Sequence, residues 1–183
     1  ELADYSKAHP NELDYGNGVG FINQMVMELF KIEAGADIQF VPYQGMAPAR
    51  TDVIGGQIET TVDSIASSGP FVESGQLKLL AVTSKERLAR FPEAPTVAEA
   101  GYPKVTRNTW YGILAPAGTP AAIVDKLAAE IAAVQAEPEV VKKIEASGAA
   151  PFIAGPADFE AFLKGEVDTW ALVIETAKME KVK

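Results

Sequence analysis

The chain has 183 residues and a formal net charge of −9, with 48% hydrophobic and 22% charged residues. That length suits one domain of moderate size or two small ones, and no stretch approaches the roughly 18 uninterrupted apolar residues of a membrane span. Its 16 Lys and Arg are scattered rather than striped, which argues against a nucleic acid partner, and the lack of cysteine removes disulfides, thiolate chemistry and cysteine metal sites.

The opening residues, ELADYSKAHPNELDYG, lack the basic-then-apolar order of a secretory signal. Residues 2 to 9 predict a short helix ended by Pro10, with His9 at the surface. Leu13 to Tyr15 reads as a strand, followed by a glycine-rich turn, Gly16-Asn17-Gly18-Val19-Gly20. In FINQMVMELFKIEAG, Phe21, Met25 and Leu29 share one helical face and Ile22, Val26 and Phe30 the next. A helix apolar around so much of its girth is buried, and Gly35 closes it as a C-terminal cap.

Ile38 to Val41 predicts a second strand, and the turn after it carries Tyr43, Gln44, Gly45 and Met46. Pro48 suits the first turn of a helix that Gly55 and Gly56 end. Gln57 to Val62 alternates as a strand does, a short helix runs from about Ser64 to Ser74, and Leu77 to Thr83 is a further apolar strand. Strands alternating with helices through short connections argue for a parallel sheet covered by helices. Ligands of such sheets bind at the C-terminal strand edge, where the turns after three of these strands would meet.

Thr106 to Leu114, containing Trp110 and Tyr111, reads as a long strand marking a boundary near residues 105 to 115, with Gly112 able to absorb backbone rotation. Beyond it the chain is mostly helix. Thr119 is placed to cap a helix with Pro120 in its first turn and Ile123, Leu127, Ile131 and Val134 along one stripe. A second helix covers Glu139 to Ala146 and ends at Gly148; Pro151 to Ile153 suits a brief strand; a last helix begins at Asp158.

Catalytic patterns are missing. There is no Gly-x-Ser-x-Gly elbow, no Ser-x-x-Lys and no HExxH, and one histidine beside a proline makes neither a triad nor a metal cluster. Gly16 to Gly20 imitates the start of a dinucleotide fingerprint, but Phe21 stands where the third glycine belongs. Two readings of this segment stay open: a turn that merely starts a buried helix, or an anion cradle in which free amides at the helix N-terminus face a carboxylate. Likewise Asp63 either caps the following helix or serves a pocket, and Trp110 is either core or ligand wall. Arg50 and Arg107 read as surface ion-pair residues, Arg107 being the better pocket candidate.

LDYGNGVG before a helix ending ELFK, then VPYQGMAPARTDVIGGQIE, LLAVTSKERLARFPEAPTVAEAGYP and WYGILAPAGTP, together resemble the substrate-binding proteins of tripartite tricarboxylate transporters, the TctC-like or Bug family. The resemblance implies an α/β type II periplasmic binding-protein fold with two lobes, one only partly present in this chain. Residues 1 to 107 correspond to the second lobe, and 112 to 183 to a return segment contributing to the first. Family members begin with a further lobe of about a hundred residues or more, to which nothing here corresponds.

The same resemblance implies a periplasmic solute receptor that passes a small organic carboxylate to transporter membrane subunits, without catalysis, cofactor or metal. Carried over, the ligand residues are Gly16, Asn17, Gly18, Val19 and Gly20, with Phe21 and Asn23 where relatives often have Ser or Thr. Tyr43, Gln44 and Gly45 match the Pro-Tyr-x-Gly turn, and Asp63 an acidic position at the next strand end, beside Ser64; Arg107 and Trp110 join the candidate set from the reading of the residues themselves. An effector-binding domain of a transcription regulator is the alternative, and an enzyme of organic acids a third. Exposed apolar helix faces over 120 to 135 and 158 to 175 would favour self-association of this chain.

Overall fold

The computed structural model describes residues 1–146 and 149–179, which divide into two compact units. The first comprises Glu1–Thr109 with the chain from Leu172 onward, and the second Trp110–Ala171.

The first unit is built on two parallel strands, β1 (Asp14–Gly18) and β2 (Gln39–Tyr43), in a register that sets Tyr15 beside Phe40 and Gly18 beside Tyr43. Helix α1 (Leu2–Ala8) precedes β1, and α2 (Ile22–Ala34) connects the strands. Gly35, at φ 58°, closes α2 in the left-handed conformation that glycine adopts without a Cβ penalty. Helices α3 (Met46–Ile54) and α4 (Ile65–Glu73) follow. Leu13, Tyr15, Met27 and Ile38 form the core, with Phe30, Phe40 and Val62 packed against it. Each such apolar side chain contributes roughly 1.5–3 kcal/mol when fully withdrawn from water.

Several expected elements take another form. Gly16, Asn17 and Gly18 lie within β1 rather than in a turn, so the strand runs through the first half of the glycine-rich segment. Glycine is required there by close approach: a Cβ on Gly16 would stand 2.7 Å from the Tyr43 ring, and one on Gly18 would stand 2.8 Å from the ring of Phe21.

The segment 57–62 makes one parallel bridge, Thr60 with Tyr15, instead of a strand. Thr60 N–H donates to Asp14 O and accepts Gly16 N–H on its own carbonyl, at 3.2 and 3.1 Å. The ladder stops there because side chains take over its neighbouring positions. Glu59 Oε2 accepts the Asp14 N–H at 2.7 Å, the Thr61 hydroxyl donates to Gly16 O at 2.7 Å, and Asn23 Nδ2 donates to Val62 O at 2.9 Å.

Residues 77–83 likewise form only the bridge between Val82 and Thr96. The runs 106–114 and 151–153 are irregular, with no neighbouring strand to pair them, so the expected boundary strand is absent among the described residues. Tyr111, Ile113 and Leu114 are exposed.

In the second unit, α5 (Ala121–Gln135) starts from Pro120 with no side-chain cap. The Thr119 hydroxyl turns away from that role and donates to Pro116 O at 2.8 Å. Helix α6 spans Pro138–Ala146, and the stop assigned to Gly148 lies outside the described residues. The greater part of α7 (Pro156–Thr176) belongs to this unit. Trp110 packs edge-on against Phe159 and Phe162, at 5.7 and 5.4 Å between ring centres. Both indole N–H groups, of Trp110 and Trp170, donate to the same Glu166 Oε2, at 3.1 and 3.2 Å. Gly112 lies so close to the Phe159 ring that any side chain there would collide with it.

Candidate functional site

Alternation along β1 puts Gly16 and Gly18 on one face and Tyr15 and Asn17 on the other. On the glycine face Tyr43 covers Gly16 and the Phe21 ring covers Gly18. On the opposite face lies a buried polar network: the Tyr15 hydroxyl donates to Glu28 on α2, and Lys31 pairs with Glu28 at 2.9 Å. Burial, then the bond to Glu28, pushes the Tyr15 phenol well above its ordinary range. Glu28 and Gln24 are buried positions that an apolar periodicity does not reveal.

The C-terminal edge of the strands is where donors remain open. Within a parallel strand, alternate residues bond to opposite neighbours. Asp14 and Gly16 bond toward the 57–62 segment, so the Gly18 N–H points toward Val62. Asn23 has already engaged the Val62 carbonyl, and no acceptor among the described residues meets Gly18 N–H.

Next to it, α2 begins at Phe21, whose side chain has no atom to satisfy the first helical amides. Gln24 Oε1 does reach back, and it accepts the Gly20 N–H at 2.7 Å. Of the amides proposed for the cradle, those of Gly16 and Gly20 are thereby used internally, while Gly18 and the first turn of α2 keep theirs. Asn17 adds an amide side chain that is fully buried, with neither Nδ2 nor Oδ1 hydrogen-bonded. A buried amide without partners costs about 1–3 kcal/mol, a deficit that a ligand or water would relieve.

The other predicted residues divide between this edge and elsewhere. Gly45, at φ 150°, starts α3, again without a side-chain cap, and Gln44 beside it is exposed. Tyr43 contributes its ring but not its hydroxyl, which donates to Asp52 at 2.6 Å; that bond pushes the phenol up to about 12. Asp63 forms an ion pair with Arg50 at 2.6 Å, both side chains largely buried, and accepts the Ser64 N–H at 2.7 Å. Arg50 is therefore an interior residue, its guanidinium 5.3 Å from the Phe71 ring centre.

Ser64 rather than Asp63 caps α4, its oxygen accepting from Ser67 N–H at 3.4 Å. Arg107 joins the 77–83 run through its N–H to Thr83 O and turns its guanidinium to Thr106 O. Trp110 is half-buried in the second unit, its ring packed on Phe159 and Phe162. Gln24 and Thr61 were missed as residues that hold the edge; a Gln three places into a helix is the one local signal, since that position reaches back to the preceding backbone.

Bare amides at a parallel-sheet edge, with an apolar ring on one side, offer the chemistry that a small anion requires. The chain belongs to the tripartite tricarboxylate transporter receptor family, whose model matches residues 1–179. It is 34% identical over 169 residues to the protein BugT of Bordetella pertussis, covering 92% of this chain and 52% of that one. A Pseudomonas knackmussii protein from a clcB–clcD intergenic region is 31% identical, over 86% of this chain and 94% of its own length.

Among solved structures, Rpa4515 of R. palustris with adipate is 34% identical with a TM-score of 0.80, over 99% of this chain and 61% of that one. MatC of Rhodopseudomonas palustris with bound malate is 27% identical with a TM-score of 0.74, over 94% and 60%. The fold is thus the α/β type II periplasmic binding-protein fold, in a family of periplasmic solute receptors rather than catalysts. The chain spans about half the length of BugT and about 60% of these solved chains.

Proposed function

We propose that the protein captures a small organic carboxylate at the C-terminal edge of β1 and β2 and delivers it to the membrane subunits of a tripartite transporter. The observation that carries this reading is the start of α2. The Gly18 N–H and the first helical amides are open there, and the aligned peptide dipoles leave about half a positive charge at the helix terminus. A carboxylate can take that position despite the chain's acidity, because the local field outweighs charges screened over about 8–10 Å of solution.

Relatives solved with adipate and with malate support the class of ligand. On this reading residues 1–107 form one lobe, and residues 112–171, which fold as a separate unit, contribute to another.

The test is a thermal-shift and calorimetry panel of mono- and dicarboxylates on the full-length protein. An acid that binds stabilises it by about 2.7 kcal/mol at a hundred times its dissociation constant. Asn17→Leu, which removes the unpartnered amide, should keep the fold and lose affinity. A panel in which no carboxylate binds, or an Asn17→Leu protein that binds equally well, overturns the proposal.

A further inference from the structure

We infer that the ligand's body is apolar: the site selects carboxylates with unsubstituted carbon frames against hydroxylated ones, and Phe21 is the selecting residue. This rests on the carboxylate reading above and adds the chemistry of what the carboxylate is attached to.

Few groups on this edge could meet a ligand hydroxyl. Tyr43 Oη is committed to Asp52, Thr61 Oγ1 to Gly16 O, Asn23 Nδ2 to Val62 O, and Ser64 Oγ to Ser67. The Asp63 carboxylate is held by Arg50 and by the Ser64 N–H. Each of these side chains has the right chemistry for a hydroxyl, and each already has its partner inside the unit; the Asn17 amide, which has none, lies fully buried on the strand face opposite the one Phe21 covers. The amides left open at Gly18 and the start of α2 suit the carboxylate itself.

Phe21 is what lies beside them. Its ring is 48% exposed although it packs directly on Gly18, and Val19 next to it is 44% exposed. An aromatic at a helix N-cap position is a poor choice for the helix, which prefers Ser, Thr, Asp or Asn there. The ring therefore forgoes a cap and keeps the helical amides open while presenting an apolar wall to whatever they hold. Gln44, exposed at the neighbouring turn, offers an amide for a polar group at the far end of the ligand. A hydroxyl held against the Phe21 ring would lose water and gain no partner there, a cost that lowers affinity about tenfold or more.

Matched acids test this on the full-length protein: succinate with malate, glutarate with 2-hydroxyglutarate, benzoate with 3-hydroxybenzoate. In whichever pairs bind, the unsubstituted acid should bind about tenfold tighter or better. Phe21→Ala should bring the ratio close to one, whereas Phe21→Leu, which restores an apolar wall, should keep it. Because Phe21 is exposed, neither variant removes a core contact, and the wild-type ratios alone can decide. Hydroxylated acids that bind as tightly as their partners, or a ratio unchanged in Phe21→Ala, overturn the inference and leave the carboxylate site standing. If no acid in a broad panel binds, the site itself is overturned and the inference with it.

Discussion

The two units differ in how far their apolar residues are covered. In the first, Tyr15 and Ile38 are fully buried and Leu13 and Met27 nearly so, around a strand pair and one long helix. In the second, α5 buries no residue, Ile123, Leu127 and Val134 are each half exposed, and Phe152, Ile153 and Val167 are open to solvent. Both units have amphipathic helices, so pattern alone does not distinguish them. What the first unit adds is a sheet for its helix to lie on, and helical stability in proteins comes chiefly from such packing.

The largest test of this contrast is a core truncation. Ile38→Ala should destabilise the first unit by about 2–5 kcal/mol, while Ile123→Ala should cost well under that, because Ile123 is already half in water. Both tryptophans lie in the second unit, so indole fluorescence during urea unfolding follows that unit and hydrogen exchange of the β1 and β2 amides follows the first. If Ile38→Ala shifts the fluorescence transition as much as the exchange, the units do not unfold separately and the comparison breaks.

Uncovered apolar faces should also be visible directly. The 183-residue chain is expected to bind a hydrophobic dye and to sediment in a concentration-dependent way, and charged substitutions at Ile123 and Leu127 should reduce both. A monomer that binds no dye would show that those faces are covered.

A smaller effect sharpens the account of the first unit. Phe21→Asp supplies the cap that α2 lacks and should stabilise the unliganded protein by about 1 kcal/mol, while its carboxylate occupies the amides and suppresses binding of an added acid. Unchanged affinity in that variant would place the anion elsewhere.

The smallest effects are in pH. The Glu99 carboxyl is held below its ordinary value, first by the Thr96 N–H and then by Arg87. Its contribution is complete above the unfolded carboxyl's value and is lost as pH falls through the lower folded one, so Glu99→Gln should flatten the acid limb of a stability profile. Tyr43 behaves in the opposite sense. Its folded value near 12 exceeds the ordinary 10.0, so the stability it adds is intact below pH 10 and disappears as pH rises toward 12. Tyr43→Phe should remove that alkaline loss.

Helices were legible in the sequence because their signals are local: the spacing in INQMVMELFKIEA and the glycine after it locate α2, and Ser64 locates α4. The first two strands were legible as well, since the runs at 13–15 and 38–41 fall on β1 and β2, but the later ones were not, because alternation tells which face a residue takes but not whether a neighbour lies alongside to complete the hydrogen bonds. At 57–62 the alternation is present, yet Thr61 and Asn23 take the positions a ladder would use. The glycines misled in the opposite direction. They read as a turn, whereas Gly16 and Gly18 are strand residues pressed under Tyr43 and Phe21. Of the candidate site, the neighbourhood was legible and the division between committed and open donors was not, since that depends on partners such as Asp52 and Arg50, remote in sequence from the glycines.

The Gln24 clamp on Gly20 bears on speed. Because an amide four residues on fixes the turn, the segment between β1 and α2 does not have to be ordered when a solute arrives. A surface already set loses little conformational freedom on encounter, so association proceeds without a slow rearrangement on this side of the site. Differences between one acid and the next then appear mainly in how long each stays. On the proposed function, a dilute mixture of acids would in this way be sampled quickly and sorted by residence time.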